Sequence, residues 1–184
     1  MKRLFDIVVS GCALLCLSPL MLFVAAAVWT YDRGPVFYKQ IRVGRAGREF
    51  GMYKFRSMRV DADRIGGYST ATNDPRITRV GRIIRRTSVD ELPQLLNVLK
   101  GDMSLVGPRP DVPKQRVLYT DAEWTQRHLV RPGITGLAQA TLRSSGTEDE
   151  RKQLDLEYVR RSSLRFDLWV IALTVRQVLF VGGN

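Results

Sequence analysis

The hydrophobic pattern divides the chain unevenly. Residues 7–29 read "IVVSGCALLCLSPLMLFVAAAVW" and contain no charged side chain. As one straight helix this run reaches roughly 35 Å, enough to cross the hydrocarbon core of a bilayer. Pro19, preceded by Ser18, lies in its middle; proline lacks an amide proton and clashes with the preceding turn, so the pair predicts a kink or break. Lys2 and Arg3 come before the run, and Arg33, Lys39, Arg42, Arg45 and Arg48 follow it. Basic flanks stay on the cytoplasmic side of a membrane. A spanning helix would separate these flanks, whereas a helix that breaks at Ser18–Pro19 and re-enters keeps them together. On the pattern alone both topologies stand. A cleaved signal peptide fits less well, because the run is long and lacks a convincing small-residue cleavage site. Asp6 is expected near the membrane interface, where a carboxylate is cheaper than in hydrocarbon.

Beyond the run, "VFYKQIRV" and "EFGMYKFRSM" predict two strands joined at Gly44 to Gly47. Residues 59–80 are polar and predict a loop, with a short helix over "VDADRI"; such a loop is either a lid or plain surface. "RVGRIIRRTSVDELPQLLNVLKG" carries helical signals, with Leu92, Leu95, Leu96 and Leu99 on its apolar side and Gly101 at its end. "GPRP" and "RPGITG" are rigid turns whose prolines keep Arg109 and Arg131 out of helical geometry. Those arginines either aim at a common anion or serve the turns alone. "EDERKQLDLEYVRRS" predicts a polar helix. "LRFDLWVIALTVRQVLF" is apolar but interrupted by Arg165, Asp167 and Arg176, which suits an amphipathic helix in the interface or docked on the domain. The fold class expected is α/β, mainly helical with a small β-hairpin or sheet, and membrane-associated. The expected parts are residues 1–32 as membrane helix and 33–184 as one cytoplasmic domain.

Composition narrows the partners. The chain has 184 residues and a formal net charge of +11, which points to anions: nucleic acid, anionic lipid or phosphorylated small molecules. The membrane-length run and the lack of a nucleic-acid motif argue against the first. Cys12 and Cys16, four residues apart, are poorly placed for a disulfide in a helix and read as small buried thiols. A single histidine excludes a zinc site built mainly of histidines.

Asp90 and Glu91 are the candidate chemistry. Ser88 and Glu91 form an S-x-x-E capping pattern, while a rival helix start puts Leu92 near the cap and Pro93 in the first turn. Either start places the two acids near a helix N-terminus, whose field favours the ionised form. An ionised aspartate can attack phosphorus, and a neighbouring carboxylate can hold Mg²⁺. A plain helix cap with solvated neighbours is the alternative.

"KRLFD", "LSPLM", "YKFRSM", "SVDELPQLLNVLKGDMSLVGPRP" and "RPGITG", in that order, cover nearly the whole chain. The chain thereby resembles the bacterial sugar transferases, the monotopic polyprenyl-phosphate phosphoglycosyl transferases. The resemblance implies a catalytic domain on the cytoplasmic face of the bacterial inner membrane, transferring a phosphosugar from a UDP-sugar to undecaprenyl phosphate and releasing UMP. It implies Asp90 as nucleophile, Glu91 as the second member of the dyad, and a Mg²⁺ requirement, with Asp90 and Glu91 as the expected ligands. It also implies a re-entrant helix broken at Ser18–Pro19 and the anionic phospholipid bilayer as partner, with no nucleic acid. Arg85, Arg109 and Arg131 are assigned to substrate phosphates from their spacing and the charge of the substrates. Homo-oligomerisation stays open. Two departures leave the sugar undetermined: Leu137 where many members have tryptophan, and "QATLRSSG" where many continue "QVNGR". The chain is expected to be the minimal form, without the multi-span extension of larger members. A non-catalytic membrane scaffold is the rival reading.

Overall fold

The apolar run forms α1, Lys2–Asp32. The structure, a computed structural model, describes residues 1–62, 74–142 and 146–180. Only 11% of the most apolar window of α1 is buried, so it is not the core helix of a soluble domain. Its two ends, however, dock on the same body. At the start, Lys2 pairs with buried Asp167, and Arg3 donates to the carbonyls of Val98 and Leu99 at 2.6 and 2.9 Å. At the other end Val24 and Val28 pack against Phe55 and Ile84, and Asp32 pairs with Arg56. No residue from 11 to 20 is buried. The helix is assigned without interruption, so the break expected at Ser18–Pro19 does not end the element. Its local signature is nonetheless present. Pro19 cannot donate to the Leu15 carbonyl, and Ser18 Oγ donates to that carbonyl instead at 2.8 Å, sparing an apolar segment an unpaired backbone oxygen.

One sequence expectation about α1 fails. Cys12 and Cys16 are free but exposed, because no residue from 11 to 20 is buried against the protein. Asp6 is buried against the domain: Ser104 Oγ donates to its carboxylate at 3.0 Å and the Leu105 N–H at 3.1 Å. These donors offset the desolvation of the charge.

The hairpin forms as expected. β1 (Phe37–Val43) and β2 (Glu49–Phe55) pair antiparallel, with Val43 opposite Glu49, around a turn in which Gly47 adopts φ +73. The centre of the polar loop lies outside the described residues, as do Gly66, Gly67 and residues 63–65 of the stretch "VDADRI" where a short helix is expected. Its ends are tied by a bridge between Met58 and Ile77. There follow α2 (Arg79–Arg86), capped by the Thr78 hydroxyl, and α3 (Gln94–Lys100), closed by Gly101 at φ +95. Next come β3 (Ser104–Val106), α4 (Asp121–Arg127) and β4 (Gly133–Thr135). The chain closes with α5 (Leu137–Leu142), α6 (Glu148–Arg161) and α7 (Leu164–Phe180).

β3 and β4 pair in parallel, Ser104 opposite Gly133 and Val106 opposite Thr135, which brings the "GPRP" and "RPGITG" turns together. The contact is backbone on backbone. A Cβ on Gly133 would lie 2.1 Å from the Gly107 nitrogen, and one on Gly107 would lie 2.3 Å from the Arg131 carbonyl. The main core gathers Val106, Leu137, Tyr158, Phe166 and Val170. One face of α7 is therefore docked, while Leu168, Trp169 and Val175 leave its other face apolar and exposed. Asp167, which interrupted the apolar pattern of α7, is the partner of Lys2 and also accepts from Tyr158 at 2.6 Å.

Candidate active site

Asp90 and Glu91 lie on a single 3-10 turn, Val89–Glu91, between α2 and α3. The capping box does not form. Ser88 adopts a left-handed conformation, φ 57, and makes no side-chain cap, while Pro93 rather than Leu92 occupies the N-cap of α3. Proline inside a helix would have removed a ladder bond, so the chain makes a tight turn first and starts α3 after it. The dyad consequently sits ahead of the α3 N-terminus, and neighbouring side chains govern its charge.

The two carboxylates differ. Lys54, from β2, donates to Glu91 Oε1 at 2.6 Å, and the Arg109 guanidinium lies 3.6 Å from the same oxygen. Burial pushes the Glu91 carboxyl up, but the charges of Lys54, Arg109 and Arg42 together outweigh it and hold it below the ordinary glutamate value. Asp90 is buried, and among the described residues it forms no ion pair. Burial raises its carboxyl above the ordinary aspartate value; Lys54 and Arg85 pull it back, and the Glu91 charge adds to the rise. Burial thus makes this aspartate harder to ionise, the reverse of the helix-field expectation.

The three arginines part company. Arg85, in the last turn of α2, acts on Asp90 and on Asp74 at the near end of the polar loop. Arg109 is about half exposed and reaches Glu91. Arg131 is elsewhere: its Nε donates to the Gly101 carbonyl at 2.7 Å, at the far end of α3 from the dyad. Seven helical residues separate the two ends, about 10 Å. There Arg131 answers the carbonyls and dipole of a helix C-terminus.

Sequence reasoning missed Lys54, Arg42 and Asn97. Arg42 donates to the Pro110 carbonyl at 2.8 Å and so fixes the "GPRP" turn beside the dyad. Asn97 accepts from the Tyr53 N–H at 2.9 Å and donates to the Gly51 carbonyl at 2.8 Å, fastening β2 to α3. A buried asparagine among the leucines of a helix was the available signal. Leu137, a departure from the family pattern, packs in the core.

Two adjacent carboxylates suit Mg²⁺, which takes one or two carboxylates together with substrate phosphates and water. Glu91 Oε1 is committed to Lys54, which leaves its other oxygen and Asp90 as the available donors. Beyond Arg42, Arg109 and Pro110 opens a cavity of about 290 Å³, near the lower size of small-molecule sites.

The family described as bacterial sugar transferase matches residues 1–181. The chain is 45% identical over 183 residues to a protein of Bacillus subtilis (strain 168) described as an uncharacterized sugar transferase, covering 100% of this chain and 89% of that one. It is 48% identical to the undecaprenyl-phosphate glucose phosphotransferase of Komagataeibacter xylinus, covering 97% of this chain and 36% of that protein. It is 47% identical to the UDP-glucose:undecaprenyl-phosphate glucose-1-phosphate transferase of Xanthomonas campestris pv. campestris, covering 97% and 38%. The chain thus spans little more than a third of the length of the latter two relatives.

Proposed function

The chain belongs to the bacterial sugar transferase family, and on that premise we propose that it transfers a sugar phosphate from a UDP-sugar to undecaprenyl phosphate through a covalent bond to Asp90. The single observation that supports Asp90 as nucleophile is the asymmetry of the dyad: Glu91 is tied to Lys54 and Arg109, while Asp90 has no ion pair. A buried carboxylate without a cationic partner is poorly solvated and hence reactive once ionised.

The reaction balances in two displacements. An Asp90 oxygen bonds to the phosphorus that carries the sugar, the bond from that phosphorus to the bridging oxygen breaks, and UMP leaves. A phosphate oxygen of undecaprenyl phosphate then bonds to the same phosphorus and the bond to Asp90 breaks, giving undecaprenyl-diphosphate-sugar. Arg109 and Arg85, on either side of the dyad, stabilise the charge on the phosphoryl oxygens. Lys54 holds Glu91 in place. Mg²⁺ held by Asp90 and Glu91 would neutralise diphosphate charge when bound.

The same reading places the chain on the cytoplasmic face of the bacterial inner membrane. Its support is that both ends of α1 meet the same domain while no residue of the apolar middle, 11 to 20, is buried. The basic flanks then stay on one side, as a re-entrant helix requires, and the bare face of α7 rests in the interface.

Mass spectrometry of the protein incubated with a UDP-sugar and Mg²⁺ tests the mechanism. The expected product is a phosphosugar on the peptide containing Asp90, with UMP released before undecaprenyl phosphate is added and both lost in Asp90→Asn. UMP release that persists in a folded Asp90→Asn protein overturns it.

A further inference from the structure

The cavity beside Arg109 has a polar floor that the two displacements do not use. Its walls come from the turn after β3, from residues 115–119, from α5 and from α6, with Arg42 of β1 and Arg127 at the end of α4. Three side chains in it carry buried polar atoms without a hydrogen-bond partner among the described residues: Gln139 at both amide atoms, Asp155 at Oδ1, and Arg127 at Nε. Asp155 and Arg127 are nearly fully buried and paired at 2.6 Å, and Arg127 also pairs with Asp111. The floor is thus rigid. Leaving such atoms unmet in a folded protein is costly, so each calls for a partner, a water or a ligand group, that reaches it from the cavity side. The rim carries Arg42, Arg109, Arg151 and Lys152.

We infer that this cavity is the subsite for the uridine of the donor, with the Gln139 amide facing the uracil edge and Asp155 accepting from a ribose hydroxyl. The inference rests on the proposed reaction. Three observations carry it. First, one primary amide offers a donor and an acceptor side by side, and the uracil edge presents an acceptor carbonyl next to an imide N–H. Both orphaned atoms of Gln139 are met by that one edge. Second, Arg109 lines the cavity and also reaches Glu91, so a diphosphate lying along Arg109 would join a nucleoside in the cavity to a phosphorus at the dyad. Third, no residue of α1 or α2 lines the cavity. The membrane helix therefore forms no part of its wall, as suits a UMP that has to depart while the sugar remains with the lipid.

Hydrogen–deuterium exchange of the full-length protein with UMP as probe tests the placement, and titration of Gln139→Leu and Gln139→Glu tests the contact. UMP is expected to slow exchange over 137–142 and 151–158. Both variants are expected to weaken UMP binding about tenfold, since each removes a matched donor. Ribose 5-phosphate and hexose 1-phosphate should bind them as they bind the parent. Protection confined to other segments, or a loss of hexose 1-phosphate binding in place of UMP binding, overturns the inference. Because the exchange experiment uses the unmutated protein, misfolding of a variant does not remove the test. The two proposals also fail separately. A phosphosugar on Asp90 without UMP protection of the cavity defeats only the subsite; UMP protection with no phosphosugar on Asp90 defeats only the mechanism.

Discussion

Asp90 and Glu91 are adjacent in the chain, yet their surroundings move them in opposite directions, and stability should register the difference. Asp90 has a folded value raised by burial. The folded state then binds more protons than the unfolded one above the ordinary aspartate value, about 3.9, so stability falls as pH rises through that window. Asp90→Asn removes the penalty. It should melt higher than the parent at pH 7, by a margin that vanishes below about pH 4, while abolishing transfer. Glu91 has a folded value held low, chiefly by Lys54 once burial is overcome. Its contribution is present above the ordinary glutamate value and is lost as pH falls through the folded one. Glu91→Gln should therefore cost about 1–3 kcal/mol at neutral pH, by leaving Lys54 without its anion. Thermal melts of both variants across pH check the two signs together. The acids were legible in the sequence because they interrupt a leucine-rich helical pattern. Their electrostatics were not, because Lys54 and Arg109 reach them from a strand and a turn far away in the chain.

At the scale of elements, the hairpin, the end of α3 at Gly101 and the polar and apolar character of α6 and α7 could be read directly, since each is set by local periodicity or by a glycine. The parallel pairing of β3 with β4 could not be read. Three-residue strands show no alternation, and the signal lay in the glycines that let two turns touch. Gly133→Ala should accordingly destabilise the fold by about 1–3 kcal/mol, as overpacking does, measured by denaturant unfolding in detergent. That packing also separates two arginines that look equivalent in sequence. Arg109 stays by the dyad, whereas Arg131 closes the far end of α3. Arg109→Ala should lower kcat/KM for the UDP-sugar at least tenfold with little loss of stability. Arg131→Ala should do the reverse, lowering stability by about 1 kcal/mol, in keeping with a charge at a helix C-terminus, with turnover in the folded protein retained. Equal losses of activity in both would return Arg131 to the phosphates.

The whole molecule is organised by how a membrane helix is attached to a basic domain. Hydropathy disclosed the helix, and the charges at its start carry the attachment: Lys2 to Asp167 and Tyr158, Arg3 to the end of α3, Asp6 to β3. Lys2 and Arg3 thus serve the domain in addition to forming a basic flank of the apolar run, and the charge inside apolar α7 belongs to the same joint. Breaking one partner should be worse than removing both. Lys2→Met leaves Asp167 buried without its cation, a change that costs about 3–5 kcal/mol for a fully buried pair; the half-exposed lysine places this case toward the lower end. Lys2→Met combined with Asp167→Leu should recover much of the loss, because two apolar groups at such a joint need no counter-charge. The topology can be read from the same variants. With Cys12 and Cys16 replaced, single cysteines introduced near residues 2 and 33 should both be labelled from the cytoplasmic side in spheroplasts and inverted vesicles. Labelling from opposite sides would mean that α1 crosses the membrane, and its two ends could not then both rest on the domain as they do here. The double variant should keep same-side labelling, whereas Lys2→Met should loosen the first position without moving it across the bilayer. On the proposed reaction, the joint would set how firmly the domain is held against the lipid from which its acceptor comes, and the labelling pattern would report the side on which it is held.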